Sequence, residues 1–401
     1  MNVSFVTGFA KSTFDVGLSL RIARAAVARF GLFGAAGEFA HYLRDNRNVF
    51  GGMSDRYVRR GSDVYVAGAL PPLSGRVSVE YLLDEIHTFN HRSLAPMVMA
   101  LLSVTSRCPY RCRYCYALDE LQAEEAVPAD ALARAVDDLG RMRIPTVFIT
   151  GGEPMMRREE LPVILAPARE HGIAVYLVSS GWGMDRAALE ALVPYNVVGV
   201  VVSLDSRREE RVREAKGHRD AFAHALAAIR AAREAGLLVG VDCIATTETL
   251  GDFDAYVDFL SGLGVHFVNF LAPHRVGGVE KHGYPVITTD QFRVLEALMQ
   301  ASNRGRGHRN RPVAYSPMVW EHSRGCVAGQ QFVYVDPLGN VRPCPFLQES
   351  AGNIRDTSLS EIIARVHAGG ERRGCFSFYE GLPSRTRLGN LPKGVEQVPT
   401  P

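Results

Sequence analysis

Three cysteines, Cys108, Cys112 and Cys115, stand in a C-x3-C-x2-C spacing inside the run Thr105-Ser106-Arg107-Cys108-Pro109-Tyr110-Arg111-Cys112-Arg113-Tyr114-Cys115-Tyr116. A loop this short can turn three thiolates toward one point. An odd cluster of thiols suits a metal or iron–sulfur site better than a disulfide. A four-iron cluster normally takes four thiolates, so three would leave one iron open to a ligand from outside the protein. A structural zinc site is the competing reading. Zinc usually asks for paired spacing and a fourth protein ligand, and no such partner lies nearby.

Further along come Thr150-Gly151-Gly152-Glu153-Pro154, Ser179-Ser180-Gly181, Ser203-Leu204-Asp205 and Lys216-Gly217-His218-Arg219-Asp220-Ala221-Phe222. The paired glycines let backbone approach a ligand closely, and Glu153 can form a charge-assisted pair with an ammonium. With an aromatic residue, Tyr114, just before the last cysteine, this set resembles the radical S-adenosylmethionine (SAM) enzymes. The resemblance implies a [4Fe–4S] cluster on Cys108, Cys112 and Cys115 whose open iron is chelated by SAM. Reductive cleavage of SAM there yields a 5′-deoxyadenosyl radical. It also implies that Gly151, Gly152, Glu153 and Pro154 hold the SAM amino group, with Tyr114 and Ser180 lining the cofactor and Ser203 on its ribose or methionine part. Asp205 serves the ribose or substrate, or else caps a helix. Lys216 stands where the family usually has an arginine near the SAM carboxylate. Lysine cannot make a planar fork, so Arg213 and Arg219 are alternatives for that role.

A second set, Cys326, Cys344 and Cys375, flanks a predicted hairpin: a strand at Phe332–Val335, a turn at Asp336–Asn340 and a strand from Val341. It resembles the SPASM/twitch extension of the same family. That resemblance implies an auxiliary, second [4Fe–4S] cluster on these three cysteines, in the shorter twitch form. Its fourth ligand is a non-cysteine residue or an iron left open, and three unligated thiols are the alternative. Cys243, inside an apolar run, reads as a small core filler.

These loops need a frame. Apolar runs at Val98–Thr105, Thr146–Thr150, Ile173–Ser179, Val197–Leu204, Leu237–Ile244 and Val265–Leu271 alternate with helical patterns at Ala129–Arg141, Glu159–His171, Arg186–Val193, Ala221–Ala235 and Phe253–Leu263. Continuous Val/Ile/Leu strands separated by helices predict a buried parallel sheet. Six such units predict an α/β fold, a partial (β/α)6 TIM-type barrel with its chemistry on loops after the strands. Residues 1–95 read as a helical N-terminal region, with helices at Phe14–Arg44 and Val79–Asn90, and 96–312 as the barrel. Residues 313–385 read as a small cluster-binding region with a helix at Leu359–His367, and 386–401 as a disordered tail.

The chain's 401 residues, with 47% hydrophobic and 22% charged content, allow a sizeable core. A net charge of +2 gives no global reason to expect nucleic acid. No secretory pattern or transmembrane-length apolar run is visible, so a cytoplasmic protein is expected. Peripheral membrane contact could come only through the basic amphipathic stretch Phe14–Arg44.

The favoured reading is a radical SAM enzyme oxidising or modifying a natural-product-type small molecule, fed electrons by a flavodoxin or ferredoxin. Peptide-modifying and lipid-modifying enzymes are the alternatives. Outside catalysis, the chain would be an iron–sulfur electron carrier or scaffold.

Overall fold

The computed structural model describes residues 3–45, 55–66, 72–91, 97–121, 127–304, 310–317 and 328–368. The N-terminal region is helical but also carries a sheet that sequence patterning did not reveal. Its elements are β1 (Val3–Thr7), α1 (Gly8–Asp45), β2 (Arg56–Arg60), β3 (Asp63–Tyr65) and α2 (Arg76–His91). The strands form an antiparallel sheet in the order β1-β2-β3. They are short, and the middle strand β2 is arginine-rich, which hid their alternation. α1 breaks at Gly31, where φ is 70°, a left-handed conformation that glycine adopts without a Cβ clash.

The main sheet holds β4 (Met99–Ser103), β5 (Thr146–Thr150), β6 (Ala174–Ser179), β7 (Val197–Ser203), β8 (Leu238–Ile244) and β9 (Phe267–Leu271), all parallel and in chain order. These match the six predicted strands. The sheet does not stop there. β10 (Val313–Tyr315) pairs parallel with β9, and β11 (Phe332–Val335) pairs parallel with β4. β12 (Asn340–Arg342) and β13 (Gly352–Asn353) then extend it antiparallel, giving ten strands. The barrel sheet therefore runs past residue 312, and the predicted hairpin is built onto its first strand rather than standing apart. A three-residue strand such as β10 is too short to show a period.

Helices α3 (Ala129–Arg141), α4 (Leu161–His171), α5 (Arg186–Leu192), α7 (Ala221–Glu234) and α9 (Phe253–Gly262) follow their strands as expected. Leu132, Val136 and Leu139 of α3 and Ile164 and Leu165 of α4 pack on Val147, Ile149, Val175 and Leu177. Alternate strand residues point the other way. Phe148 stacks on Tyr176, ring centroids 5.1 Å apart, facing the interior. Local chemistry fixes the ends: Gly172 closes α4 in the left-handed conformation, and Thr246 and Thr288 form capping boxes for α8 (Thr247–Gly251) and α11 (Thr289–Asn303). Three short helices among the described residues were not foreseen, α6 (Glu209–Lys216), α8 and α10 (Gly278–His282).

The N-terminal sheet closes the floor of the open barrel. Val3, Phe5, Val58 and Tyr65 pack on Ala174, Val198, Leu238 and Phe267, which begin or nearly begin their strands. Buried Arg56 donates to the carbonyls of Ser302, Arg311 and Pro312, and Arg60 to that of Gly236. α1 and α2 cover the other face of this sheet. α1 exposes Phe9, Val16 and Leu20 before the break at Gly31 and Leu32 and Phe33 after it. Among the described residues, no helix is long and apolar enough to cross a membrane.

Candidate active site

The cysteine loop follows β4, and three backbone clamps hold it. From β5, Gly152 N–H donates to Thr105 O at 2.7 Å and Glu153 N–H to Arg107 O at 2.8 Å. From the end of α6, the carbonyls of Lys216 and Ala215 accept from Arg111 and Arg113 N–H at 3.2 and 2.8 Å. From the start of α10, Gly278 N–H donates to Cys115 O at 2.8 Å. A Cβ on Gly152 would lie 2.1 Å from Arg107 O, and one on Gly278 2.8 Å from Arg113 O. Glycine is required at both places because the backbones touch. The Gly277-Gly278 pair was missed in the sequence, because five residues separate it from the end of β9 whereas Gly151-Gly152 directly follows β5.

Cys108, Cys112 and Cys115 are each partly buried on this loop. Desolvation pushes the Cys108 and Cys115 thiols up to about 12 and raises Cys112 too. Neighbouring thiols add to the rise at Cys108 and Cys115, while the Lys216 ammonium opposes it at Cys112. Thiolates so placed need metal cations to stabilise their charge. The donor set fits a cluster.

Glu153 is fully buried. Oε1 accepts from Ser179 Oγ at 2.7 Å and Met155 N at 3.3 Å; Oε2 accepts from Ser180 N at 2.9 Å and Ser180 Oγ at 2.6 Å. Burial raises its pKa and these bonds oppose the rise. Four donors fill the lone-pair directions of a carboxylate. Glu153 thus locks the end of β6 to the end of β5, and Ser180 meets Glu153 rather than open space. For Glu153 to take an ammonium, the Ser180 hydroxyl must rotate away. Pro154 begins the turn Pro154–Arg157, which Glu153 caps through Met155 N.

Lys216 is the cation that reaches the loop. Its side chain is 1% exposed, and Nζ lies 3.0 Å from Tyr114 Oη and 3.8 Å from Asp205 Oδ2. Arg219 instead pairs with Asp220 in the open. Asp205 is no helix cap: Oδ2 accepts from Tyr114 Oη at 2.5 Å and Oδ1 from Ile244 N at 3.1 Å. An ammonium has three donors, so Lys216 can still meet a carboxylate. Ser203 ends β7 opposite Asp242, whose carboxyl burial pushes up to about 6. Beside this network a cavity of 320 Å³ opens between the loops after β7 and β8, walled by Tyr256 and Tyr284 and ringed by Arg113, Arg208, Arg211 and Glu248. Cys243 is a buried core residue, as expected.

Of the second cysteine set, Cys344 is buried just after β12 and accepts from Phe346 N. Cys326 and Cys375, like the predicted tail, lie outside the described residues. Arg342 ties this hairpin to the cysteine loop, meeting Glu120 at 2.5 Å and Asp336 at 2.7 Å.

Comparison with known proteins gives the family and the fold. The radical SAM superfamily model matches residues 102–260, and the model of an iron–sulfur cluster-binding domain, SPASM, matches residues 326–391. An Fe-coproporphyrin III synthase of Methanosarcina barkeri is 31% identical, over 65% of this chain and 72% of that protein. A PqqA peptide cyclase of Granulibacter bethesdensis is 22% identical, over 70% of this chain and 78% of that protein. The fold is similar to that of Streptococcus suis SuiB solved with its precursor peptide SuiA, with a TM-score of 0.57 at 15% identity, covering 71% of this chain and 69% of SuiB. It is also similar to anSMEcpe solved with bound AdoMet, with a TM-score of 0.54 at 19% identity, covering 67% of this chain and 82% of that one. The chain belongs to the radical SAM superfamily, and its cofactors are a [4Fe–4S] cluster and SAM.

Proposed function

We propose that this enzyme modifies a peptide. Cys108, Cys112 and Cys115 would hold the cluster, which together with SAM would supply a carbon radical able to take hydrogen from the C–H the protein presents. The chain's own residues then decide the outcome by position. Glu153 and Lys216 supply opposite charges for the amino and carboxylate ends of SAM. Ser203 and Asp205 flank its ribose side. The auxiliary cluster domain takes up an electron or anchors the substrate, with a flavodoxin or ferredoxin as donor in the cytoplasm.

The observation that favours a peptide over the small molecule first expected is the cavity beside Asp205. Arginine, glutamate and threonine line it together with Ile244, Tyr256, Tyr284 and Pro285, a mixed wall that suits a peptide's amides, charges and apolar side chains. The relatives named for cyclising the PqqA peptide support the same reading.

The test is anaerobic turnover with SAM and dithionite, offering the short peptides encoded beside the gene and, separately, a tetrapyrrole. Peptide-dependent formation of 5′-deoxyadenosine with a mass change in the peptide is expected. Stimulation by the tetrapyrrole alone would overturn the peptide reading.

A further inference from the structure

We propose that Glu38, His87 and His91 form a second metal site, binding one divalent ion of the zinc type and cross-linking α1 to α2. His87 and His91 are one helical turn apart, so both rings leave the same face of α2, with centroids 4.2 Å apart. His87 Nδ1 lies 2.9 Å and His91 Nε2 2.7 Å from the same oxygen, Oε1 of Glu38. The three ligand atoms all lie within 4.8 Å of one another.

The carboxylate is held for this purpose. Asn90 donates to the backbone carbonyl of Glu38 at 2.9 Å and also to Oε2, leaving Oε1 turned to the imidazoles. Ligands are commonly oriented by such outer partners. Phe30 stacks on His87 with centroids 5.4 Å apart and sets that ring's plane. The site is at the last turn of α2, where the helix dipole favours a cation.

Two imidazoles and one carboxylate suit zinc; calcium and magnesium take oxygen ligands. Zinc bonds of about 2.0–2.2 Å place tetrahedral ligand atoms about 3.3 Å apart. The two nitrogen–oxygen separations, 2.9 and 2.7 Å, need to open by about 0.4 to 0.6 Å to reach that value. Glu38 is 11% exposed and His91 56% exposed, so a fourth position faces solvent and would hold water. None of these residues belongs to the cysteine site.

The test uses the full chain with its cysteine clusters loaded, stripped of loose metal and dialysed against zinc chloride. Wild type is expected to retain one zinc per chain more than His91→Ala or Glu38→Gln. The zinc absorption edge of that extra ion should show nitrogen and oxygen neighbours and no sulfur. Zinc should raise the thermal transition of wild type and not of His91→Ala, an exposed position where truncation spares the fold. Asn90→Ala should keep the site but weaken it by about 10- to 100-fold. Equal zinc contents in wild type and His91→Ala, or a sulfur shell for the extra ion, would overturn the proposal.

Discussion

The Lys216 ammonium donates to the Tyr114 hydroxyl at 3.0 Å, and that hydroxyl donates in turn to Asp205. A residue between two loop cysteines is thereby wired to the loop after β7 and to the end of α6. Lys216→Met removes the buried cation beside Cys112 and leaves Asp205 short of a countercharge. We expect SAM affinity to fall by about tenfold or more, the loss of a charge-assisted contact, with iron content largely kept. Equilibrium binding of SAM to the reconstituted variant checks this. Tyr114→Phe should weaken binding less, because Lys216 remains near Asp205.

Gly152 and Gly278 make the loop's contacts possible, so alanine at either should displace Cys108 or Cys115. Overpacking of this kind costs about 1–3 kcal/mol. Gly152→Ala and Gly278→Ala should lower both the unfolding midpoint and the iron bound on reconstitution. Gly262→Ala, where an added Cβ meets nothing within 4 Å, is the control and should bind iron as wild type does.

Arg342 is buried between Glu120 and Asp336, joining the C-terminal hairpin to the turn after Cys115. Arg342→Met would strand the buried Glu120 carboxylate, at a cost of about 3–5 kcal/mol, whereas Asp336 keeps its bonds from Leu338 N and Asn340. Chemical denaturation should show a loss of that order. Its absence would mean that the two regions are joined by other contacts.

Asp242 carries a pH signature. Burial raises its carboxyl to about 6 in the fold, from an ordinary 3.8. The folded state therefore holds this proton more tightly than the unfolded chain, and stability falls as pH rises toward and through 6. Asp242→Asn removes the dependence while keeping an acceptor for Asn269. Relative to wild type, the variant should gain about 2 kcal/mol on going from pH 4.5 to pH 7.5. A difference that does not change with pH would contradict the burial argument.

Much of this site was legible because its chemistry is local. Three cysteines on one loop and a Gly-Gly-Glu after the next strand announce themselves in one dimension, and the Val- and Leu-rich strands between long helices announce the barrel. What escaped depends on distant pairing. β1, β2 and β3 take their apolar partners from the floor of another sheet, and β2 buries Arg56 and Arg60, so no apolar alternation marks these strands. The roles of Ser180 and Asp205 turned on partners far along the chain, Glu153 and Tyr114. Gly277-Gly278 required knowing which backbone lay opposite.

The central claim is that Cys108, Cys112 and Cys115 hold a cluster that cleaves SAM. The most direct measurement is 5′-deoxyadenosine released from SAM by the reconstituted, dithionite-reduced protein, compared with Cys112→Ala. The account predicts release by wild type and loss of about 100-fold or more in the variant, the scale of removing a required catalytic group. Wild-type protein that carries iron and sulfide on this loop yet releases no 5′-deoxyadenosine, with or without substrate, would contradict it.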